Sequence, residues 1–329
     1  MKKNFFKSIL LIGLSLILIM ILNFKVDPMR FYRNPIGYIV GNWRDDERIL
    51  NAGIIRNSDF DSILIGSSMT RNFDIESIDN VFNWKTIKLT MSAATQRDIY
   101  YTYNFVKEVN PNFKNVILGI DIETFFQNED FQKIEFDKSF YVKDRISNPG
   151  YLLNFRTLKY SLEFLKLNLF KTREEIENIY KLGYKYEYKK ENVLSLVKEI
   201  SNLSSFENIQ KTELDFRVLE NMKNNYSKNL KIILENNRDK NFYLFFPPYS
   251  IYYYDKLLKD QKVNEYNSFK KFLKQEMKGY SNVQLYDFQE IDSIVNNLDN
   301  YGDLMHFSPE VSQQLLEYMF KNEYKVNSY

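Results

Sequence analysis

Cysteine is absent from the 329-residue chain, and histidine occurs only once, at His306. The missing thiols exclude disulfide bridges, cysteine nucleophiles and cysteine-ligated zinc or iron–sulfur centres. A single imidazole also excludes metal centres built from several histidines, and no Asp/Asn-rich calcium loop is visible. We therefore expect neither a metal ion nor a cofactor, and any imidazole chemistry must involve His306.

An excess of charge of either sign is missing as well. The 45 basic and 43 acidic residues nearly cancel, so the sequence does not indicate an electrostatic nucleic-acid binder. Apolar residues make up 44% of the chain and charged residues 27%, which is typical of a globular protein rather than of a disordered one. The length suits one large α/β domain or two small ones.

The N-terminal part of the sequence carries a long apolar run without charge, from Ser8 to Phe24. Its length suits a short membrane span, whereas a buried core helix would normally place polar residues along one face. A cleaved signal peptide is the other alternative, but the flank from Asn23 to Pro28 lacks the small-x-small pattern that signal peptidase needs. We expect a cytoplasmic tail and an uncleaved signal anchor at residues 1–27.

The charges around this run predict its orientation. Lys2, Lys3 and Lys7 precede the run and would stay in the cytoplasm under the positive-inside rule, although Lys25, Arg30 and Arg33 after the run reduce the asymmetry of charge. We therefore expect a single-pass protein of the cell membrane whose remaining residues lie outside the cytoplasm.

Beyond the anchor, strand and helix patterns alternate. Residues 28–57 are rich in turn formers and aromatics and are predicted to form a juxtamembrane connector. Short apolar runs predict strands, and the amphipathic stretches between them predict helices. The predicted strands cover residues 60–66, 86–90, 115–121, 241–246 and 282–287, and the helices 95–109, 209–237, 262–278 and 309–323. This alternation predicts an α/β domain over residues 58–329, a three-layer sandwich with a mostly parallel sheet.

One stretch, from about residue 122 to 206, does not show this alternation of strand and helix patterns. It is rich in Lys, Glu, Tyr and Asn, with helical patterns at 156–170 and 191–200, and we interpret it as a helical insertion. The insertion either packs on the domain or forms a lid or a polymer-binding wall. Tyrosine-rich runs at 180–188 and 251–254 could stack on sugars, although tyrosine is abundant throughout the chain.

Two short segments carry the residues that indicate chemistry. The first, 64–71, places Ser68 beyond the carboxyl end of an apolar strand, at the edge where open α/β sheets bind ligands. The second, 302–309, places Asp303 one helical turn before His306, so the carboxylate could accept from Nδ1 and leave Nε2 free to take a proton. Since a serine hydroxyl is a poor nucleophile without a base, this set predicts a nucleophilic serine. Either segment alone could be only a turn and a cap.

This arrangement resembles the SGNH (GDSL-like) hydrolase superfamily, which keeps its serine in an N-terminal strand–turn block and an Asp-x-x-His in a C-terminal block. The resemblance runs in order from about residue 58 to 322, apart from the insertion. It implies an SGNH/flavodoxin-like fold with Ser68 as the nucleophile, His306 as the general base and Asp303 as its orienting carboxylate. Ser67 stands where the family motif carries an aspartate.

The middle blocks of the family are replaced by different residues. Residues 91–94, Met-Ser-Ala-Ala, stand in place of the block with the oxyanion-hole glycine, and residues 119–122, Gly-Ile-Asp-Ile, in place of Gly-x-Asn-Asp. An ionised Asp121 only accepts hydrogen bonds, so it cannot replace an amide donor. It would instead hold Arg71 or Arg97, or be a simple turn residue.

Backbone groups would then have to stabilise the oxyanion. The N–H group of Ser68, together with that of Ser92 or Ala93, is the candidate donor set, because these residues follow the first two strands at the ligand-binding edge.

Four features are similar to a narrower set of envelope-modifying SGNH-like proteins, which includes the alginate O-acetyltransferase accessory proteins and the protein for D-alanyl transfer to teichoic acids. They are the N-terminal anchor, Gly-Ser-Ser after the first strand, Pro-Pro after a late strand and Tyr-x-Asp-x-x-His. The resemblance implies a membrane-bound O-acyltransferase partner. It also implies transfer of an acyl group, such as acetyl, to a polysaccharide or teichoic-acid-like polymer through an acyl-serine.

Two other functions stay open at this point. An SGNH carbohydrate esterase would use the same residues to pass the acyl group to water. A non-catalytic scaffold would recruit the membrane acyltransferase and would not need the oxyanion donors that the sequence replaces.

Overall fold

The computed structural model describes residues 2–33, 47–143, 149–170, 187–202 and 213–326. The chain divides into two compact units. The first, called the anchor unit below, comprises Met1–Asp59 and Asp137–Leu182. The second, called the sheet unit, comprises Phe60–Phe136 and Gly183–Tyr329. Every candidate site residue lies in the sheet unit.

Five parallel strands form one sheet in the order β2-β1-β3-β4-β5. The strands are β1 Ser62–Gly66, β2 Thr86–Thr90, β3 Asn115–Gly119, β4 Asn241–Phe246 and β5 Val283–Asp287. The predicted α/β class with a parallel sheet is confirmed, and the five predicted strands match the observed ones closely.

The central strands are buried along their whole length. All residues of β1, β2 and β3 are buried, as the continuous apolar runs of a parallel sheet require. Ser62 pairs with Thr86 on one side and with Asn115 on the other. Because the three strands start in register and have the same direction, the segments that follow them emerge at one edge of the sheet.

The helices fill the intervals between the strands. The α-helices are α1 Lys2–Val26, α2 Glu47–Asn57, α3 Ile75–Phe82, α4 Gln96–Val109, α5 Pro149–Leu152, α6 Phe155–Phe170, α7 Lys190–Asn202, α8 Phe216–Tyr226, α9 Ile232–Glu235, α10 Ile251–Lys259, α11 Val263–Met277, α12 Asp292–Val295 and α13 Pro309–Lys321. Helices α4, α11 and α13 confirm three of the predictions. The fourth predicted range, 209–237, contains α8 and α9 joined by a π-helical turn, and its residues up to 212 lie outside the described residues.

Local sequence determines where the two helices next to the site begin. Thr95 caps α4 through a capping box, in which its hydroxyl accepts from the Asp98 N–H and its own N–H donates to the Asp98 carboxylate at 3.0 Å. Ser308 caps α13, and Pro309 follows at the first position, where a missing N–H costs nothing. Both helices start directly after loops that carry candidate site residues.

In the anchor unit, helix α1 exposes apolar side chains along most of its length. Within Asn4–Val26, an 18-residue stretch reaches a mean hydropathy of 2.6 and is not buried, so this helix is long and apolar enough to cross a membrane. It packs against α5 and α6, where Asn23 donates to the Leu152 carbonyl at 2.8 Å. Helix α1 coincides with the predicted anchor.

The predicted connector contains regular structure at its end. Residues 28–33 form turns, residues 34–46 lie outside the described residues, and α2 occupies the remainder.

The range predicted as an insertion is shared between the two units. Residues 137–182 belong to the anchor unit, whereas 122–136 and 183–206 belong to the sheet unit. Helices α6 and α7 occupy the two helical patterns predicted within this range.

Candidate active site

The strand order reverses at β1, because β2 lies on one side of it while β3, β4 and β5 continue on the other. In open α/β sheets, ligands bind in the crevice outside the carboxyl ends of the strands at such a switch point. The chain leaves β1 at Ser67, β2 at Met91 and β3 at Ile120. The predicted site residues that follow these strands, Ser68, Ser92, Ala93 and Asp121, therefore lie at the edge where a ligand is expected.

Ser68 lies on a 3-10 turn, Ser68–Thr70, that follows β1. The Ser67 side chain caps this turn by accepting from the Met69 N–H at 3.3 Å. The Thr70 hydroxyl donates to the Ser67 carbonyl at 2.9 Å and closes the turn from its other end. These bonds fix the backbone that carries the Ser68 hydroxyl.

Gly66 ends β1 at a position where the turn leaves no room for a side chain. A Cβ there would lie 2.6 Å from Thr70 Cγ2, and Thr70 is buried, β-branched and held by its own hydrogen bond. We expect Gly66→Ala to lower the free energy of unfolding by about 1–3 kcal/mol, measured by denaturant unfolding of the full chain in detergent. Gly279→Ala is the control, because its Cβ would meet Glu276 O at an ordinary 3.4 Å. Equal losses in both variants would contradict the steric argument.

The imidazole lies on a short loop, residues 301–307, that precedes α13. An antiparallel bridge between Tyr301 and Phe307 closes the base of this loop. The Gly302 N–H adds a bond to the His306 carbonyl at 3.0 Å. The loop is therefore a compact hairpin-like turn rather than an extended connection.

Asp303 holds this loop in shape from within. Its Oδ1 accepts from the N–H groups of Met305 and His306 at 2.8 Å each. Its Oδ2 lies 2.6 Å from His306 Nδ1. With Nδ1–H donated to the carboxylate, Nε2 carries the lone pair that can accept a proton.

Two other loops hold loop 301–307 in place. Ser250, which follows β4, donates to the Leu304 carbonyl from its N–H at 3.1 Å and from its hydroxyl at 2.9 Å. Asn72, in the segment after β1, donates to the Phe307 carbonyl. The loop is thus bonded to segments that follow two strands of the sheet, which positions the imidazole beside the turn after β1.

Ser68 Oγ lies 2.9 Å from His306 Nε2, although the two residues are 238 positions apart in the chain. Together with the bond from Nδ1 to Asp303, this contact forms a continuous Ser–His–Asp chain of hydrogen bonds. The side chains of His306 and Asp303 are 18% and 27% exposed, so the chain is partly shielded from water yet open to a ligand. A serine hydroxyl that donates to a neutral imidazole is placed for removal of its proton.

The Asp303 carboxylate, at the end of this series of hydrogen bonds, stays ionised at neutral pH. Burial acts to raise the pKa of Asp303, but the hydrogen bond and charge of His306 and two backbone N–H groups outweigh it. The pKa therefore lies below its ordinary value of 3.8. A negative charge at this position stabilises the imidazolium that forms when His306 takes a proton.

Comparisons with known proteins do not identify the chain. No protein-family model matches it, and no curated protein matches it. The chemistry of the site therefore follows from the residues that form it.

A cavity of about 270 Å³ lies beside Ser68. Ala93 and Asp121, from the segments after β2 and β3, line the same cavity, as do Lys133 and Lys262. Neither lysine has an ion-pair partner among the described residues. Within the described part of the chain, no three acidic or histidine side chains lie close enough together to hold a metal ion.

The two predicted oxyanion candidates after β2 have different surroundings. Ala93 adopts a φ of 49°, in the left-handed region that residues with a Cβ rarely enter, and it lines the cavity. Backbone strain of this kind persists only where the surroundings impose it, and it clusters at functional sites. The Ser92 hydroxyl instead accepts from the guanidinium of Arg71. Because Ala93 lines the cavity beside Ser68 and Ser92 does not, the Ala93 N–H is the better donor candidate of the two.

The predicted arginine partners of Asp121 are bonded to other groups. Arg71 is buried beside Ser92, and Arg97 pairs with Asp130 at 3.2 Å. In the described structure, neither guanidinium forms a hydrogen bond or ion pair with Asp121. Of the two roles that the sequence allows for this aspartate, the structure shows the turn residue.

Asp121 caps the 3-10 helix Ile122–Phe126 by accepting from the Glu123 N–H at 3.3 Å. It also accepts from the Tyr249 hydroxyl at 2.6 Å and from the Ser67 hydroxyl at 3.3 Å. Burial raises the pKa of Asp121 to about 6, because these bonds only partly replace the lost water. The cavity wall therefore contains a carboxyl group that titrates near neutral pH.

We expect Asp121→Asn to stabilise the chain above about pH 6, by up to about 3 kcal/mol for a shift of this size. An aspartate whose pKa rises from 3.8 to about 6 on folding loses stability as the pH rises through that interval, because the unfolded chain releases the proton first. Asparagine keeps an acceptor for Tyr249 and carries no charge. Thermal unfolding of both forms between about pH 4 and pH 8 measures the difference. A stabilisation that does not shrink toward pH 4 would contradict the electrostatic cause.

The tyrosine runs are only partly available to a ligand. In the run 180–188, residues 180–186 lie outside the described residues, and the Tyr188 hydroxyl accepts from Asn72 at 2.9 Å. In the run 251–254, Tyr253 is fully buried in the first turn of α10 and cannot stack on a sugar.

Sequence reasoning did not single out four side chains that shape the site: Asn72, Lys133, Tyr249 and Lys262. Tyr249 follows the Pro-Pro pair after β4, a pattern that does mark the end of a strand next to the site. The other three carry no motif. Their roles depend on tertiary contacts between segments that are distant in the chain.

Proposed function

We propose that the chain is a membrane-anchored serine O-acyltransferase that acts outside the cytoplasm. It transfers an acyl group, in our proposal acetyl, to a cell-envelope polysaccharide or teichoic-acid-like polymer through an acyl-serine. The observation that carries the proposal is the 2.9 Å contact between Ser68 Oγ and His306 Nε2, with Asp303 on Nδ1. The parallel sheet and its strand order agree with a three-layer fold of the SGNH superfamily, to which we assign the chain as part of this proposal.

In the first half of the reaction, Ser68 Oγ attacks the carbonyl carbon of the acyl donor while His306 Nε2 takes the hydroxyl proton. The tetrahedral intermediate collapses, and the bond between the carbonyl carbon and the donor oxygen or sulfur breaks. His306 returns the proton to that leaving group. Ionised Asp303 stabilises the imidazolium between the two proton transfers.

The negative charge on the carbonyl oxygen needs donors in this cavity. We assign that role to the backbone N–H groups of Ser68 and Ala93, two residues that follow β1 and β2 and line one cavity. The Ser68 N–H begins a helical turn, where the first amides have no intrahelical acceptor. One donor of this kind is worth about 10²–10³ in turnover.

In the second half, a hydroxyl of the acceptor polymer attacks the acyl-serine and gives its proton to His306. The new ester bond forms at the acceptor oxygen, the bond to Ser68 Oγ breaks, and Oγ recovers the proton. If water attacks instead, the product is the free acid, which is the esterase reaction. The two activities therefore differ only in what occupies the cavity beside the acyl group.

Two lysines of the cavity wall support a polymeric acceptor with carboxylate or phosphate groups. Lys133 and Lys262 line the cavity, and the Lys262 ammonium lies 5.1 Å from the centre of the Phe126 ring. Glu123 lies on the same wall, but its charge is paired with Lys256 at 2.9 Å. The Asp121 carboxyl also lines the cavity, so an anionic chain would meet two lysines and one buried carboxyl group in the cavity that Ser68 lines.

Helix α1 supports the membrane location of the proposed enzyme, since it is long and apolar enough to cross a bilayer. In our proposal, a membrane-bound O-acyltransferase partner delivers the acyl group across the membrane to Ser68. The anchor would keep the reacting serine near that partner, which raises the effective concentration of the donor.

Trapping of the acyl-serine tests the proposal. The full chain in detergent is mixed with an activated acetyl ester, quenched in acid and digested, and the peptides are analysed by mass spectrometry. We expect one acetyl group on the peptide that contains Ser68 and none on that peptide from Ser68→Ala. Equal labelling of both proteins would contradict an acyl-serine and leave the scaffold function.

Addition of acceptors separates transfer from hydrolysis. A soluble glycan with carboxylate groups or a polyol phosphate polymer should accelerate deacylation and become acetylated itself. A neutral glycan of equal length is the control. Release of free acetate at one rate, whichever polymer is present, would favour the esterase.

A further inference from the structure

Helix α6 of the anchor unit has three distinct faces. Its buried face holds Thr157, Tyr160, Ser161 and Phe164. A second face is exposed and apolar, with Phe155, Leu162, Leu165 and Leu169, and a third is polar, with Arg156, Lys159, Glu163 and Lys166. Because residues three and four apart lie on one side of a helix, each set forms a stripe along α6.

The buried face holds α6 against the C-terminal part of α1. The Ser161 hydroxyl donates to Asn23 Oδ1 at 2.9 Å, and the Asn23 amide donates to the Leu152 carbonyl at 2.8 Å. Polar side chains that bond across a helix pair hold it together where water does not compete. Helix α6 is therefore fixed beside the apolar helix rather than free to turn.

The apolar stripe of α6 is unusually exposed for side chains of this size. Phe155 is 81% exposed, Leu162 53% and Leu169 74%. Helix α1 exposes apolar side chains near the same contact, including Ile17 and Ile21. A soluble surface rarely carries so much contiguous apolar area, and such area marks a binding surface.

The polar stripe has the composition that a lipid headgroup region favours. Three of its four side chains are basic, and the Lys159 side chain is 60% exposed. Lysine and arginine beside an apolar stripe extend their charged ends toward the headgroups while their stems cover apolar surface. Helices that lie in the plane of a membrane surface combine one apolar face with one basic face.

We infer that α6 lies in the membrane–water interface, with its apolar stripe in lipid and its polar stripe at the headgroups. Lipid is the occupant because α6 packs directly on α1, whose own exposed apolar surface requires the same medium. The inference rests on the anchoring that forms part of the proposed function, and it is independent of acyl transfer.

The absence of native cysteine allows a direct test with the full chain. Leu162→Cys and Glu163→Cys place one label each on the apolar and the polar stripe, and Leu18→Cys labels α1. Each variant carries an environment-sensitive fluorophore and is reconstituted into vesicles of phosphatidylcholine and phosphatidylglycerol. Nitroxide phospholipids quench labels in lipid, whereas iodide quenches labels in water.

We expect the label at residue 162 to lose emission with nitroxide lipids and to resist iodide, as the label at residue 18 does. The label at residue 163 should respond mainly to iodide. Leu169→Cys repeats the test at a second exposed position, so that poor folding of one variant does not decide the result.

Three outcomes would overturn the inference. Equal iodide quenching at residues 162 and 163 would place the apolar stripe in water. Protection of residue 162 from both quenchers would mean that a protein surface, such as a second copy of the chain, covers it. Loss of lipid quenching at residue 18 would remove the anchor itself, and the interfacial helix with it, while the acyl-serine experiment would still stand.

Discussion

Ser68→Ala is expected to lower acetyl turnover by roughly 10⁴-fold or more, because the variant lacks the atom that carries the acyl group. His306→Ala should cost about as much, since the 2.9 Å contact of Nε2 is the route by which the hydroxyl loses its proton. The double variant should lose no more than either single variant, because the two residues act as one unit. Initial rates of the full chain in detergent with an activated acetyl ester measure all three.

Ser92→Ala is the matched control for Ser68→Ala. The Ser92 hydroxyl also follows a strand of the sheet, but it accepts from Arg71 and carries no acyl group in the mechanism. We expect this variant to retain most of the activity and the same fold by circular dichroism. A Ser68→Ala protein that is as active as Ser92→Ala would show that Ser68 is not the nucleophile.

The strands could be predicted because their ends are marked in the sequence. Strand β4 ends at Phe246, directly before Pro247, because proline has no N–H to donate to the hydrogen bonds of a sheet. Strand β1 is a short apolar run that ends at Gly66, which the following turn requires for steric reasons. Both signals are local, and the parallel class follows from the helical stretches that separate the runs.

The division into two units could not be predicted in this way. It depends on buried hydrogen bonds between segments that are distant in the chain. The Tyr151 hydroxyl, for example, donates to the Asp27 carboxylate at 2.9 Å, and the Ser161 hydroxyl donates to the Asn23 side chain. The periodicity of hydrophobic residues does not predict which of these polar residues bond to each other. Sequence patterns therefore predict residues 137–182 as part of one insertion, although the helices α5 and α6 within this range pack with α1.

The site shows the same limit on a smaller scale. The bond between Asp303 and His306 could be expected from their spacing, because one loop contains both residues. The left-handed backbone of Ala93 could not be expected from the sequence, because glycine and asparagine are the residues that usually indicate such a conformation and alanine is not. Lys133 reaches the cavity through tertiary packing alone.

Asp303→Asn is expected to lower kcat by about 10⁴-fold with little change in KM, although the loop around it should persist. Asparagine keeps an oxygen that can accept from the Met305 and His306 N–H groups, which preserves the loop. Its amide, however, would donate to Nδ1 where the carboxylate accepts. The imidazole would then carry its proton on Nε2 and could not take one from Ser68.

A second readout separates this tautomer effect from a general loss of structure. Because the pKa of Asp303 is lowered on folding, the stability that it contributes is present above its ordinary 3.8 and is lost as the pH falls through the lowered value. Asp303→Asn should lack this acid-dependent part of the unfolding profile, whereas Asp292→Asn, at the exposed start of α12, should keep both the profile and the activity. An Asp303→Asn protein with normal kcat would mean that the carboxylate does not set the tautomer, and the proton transfer from Ser68 to His306 would need another explanation.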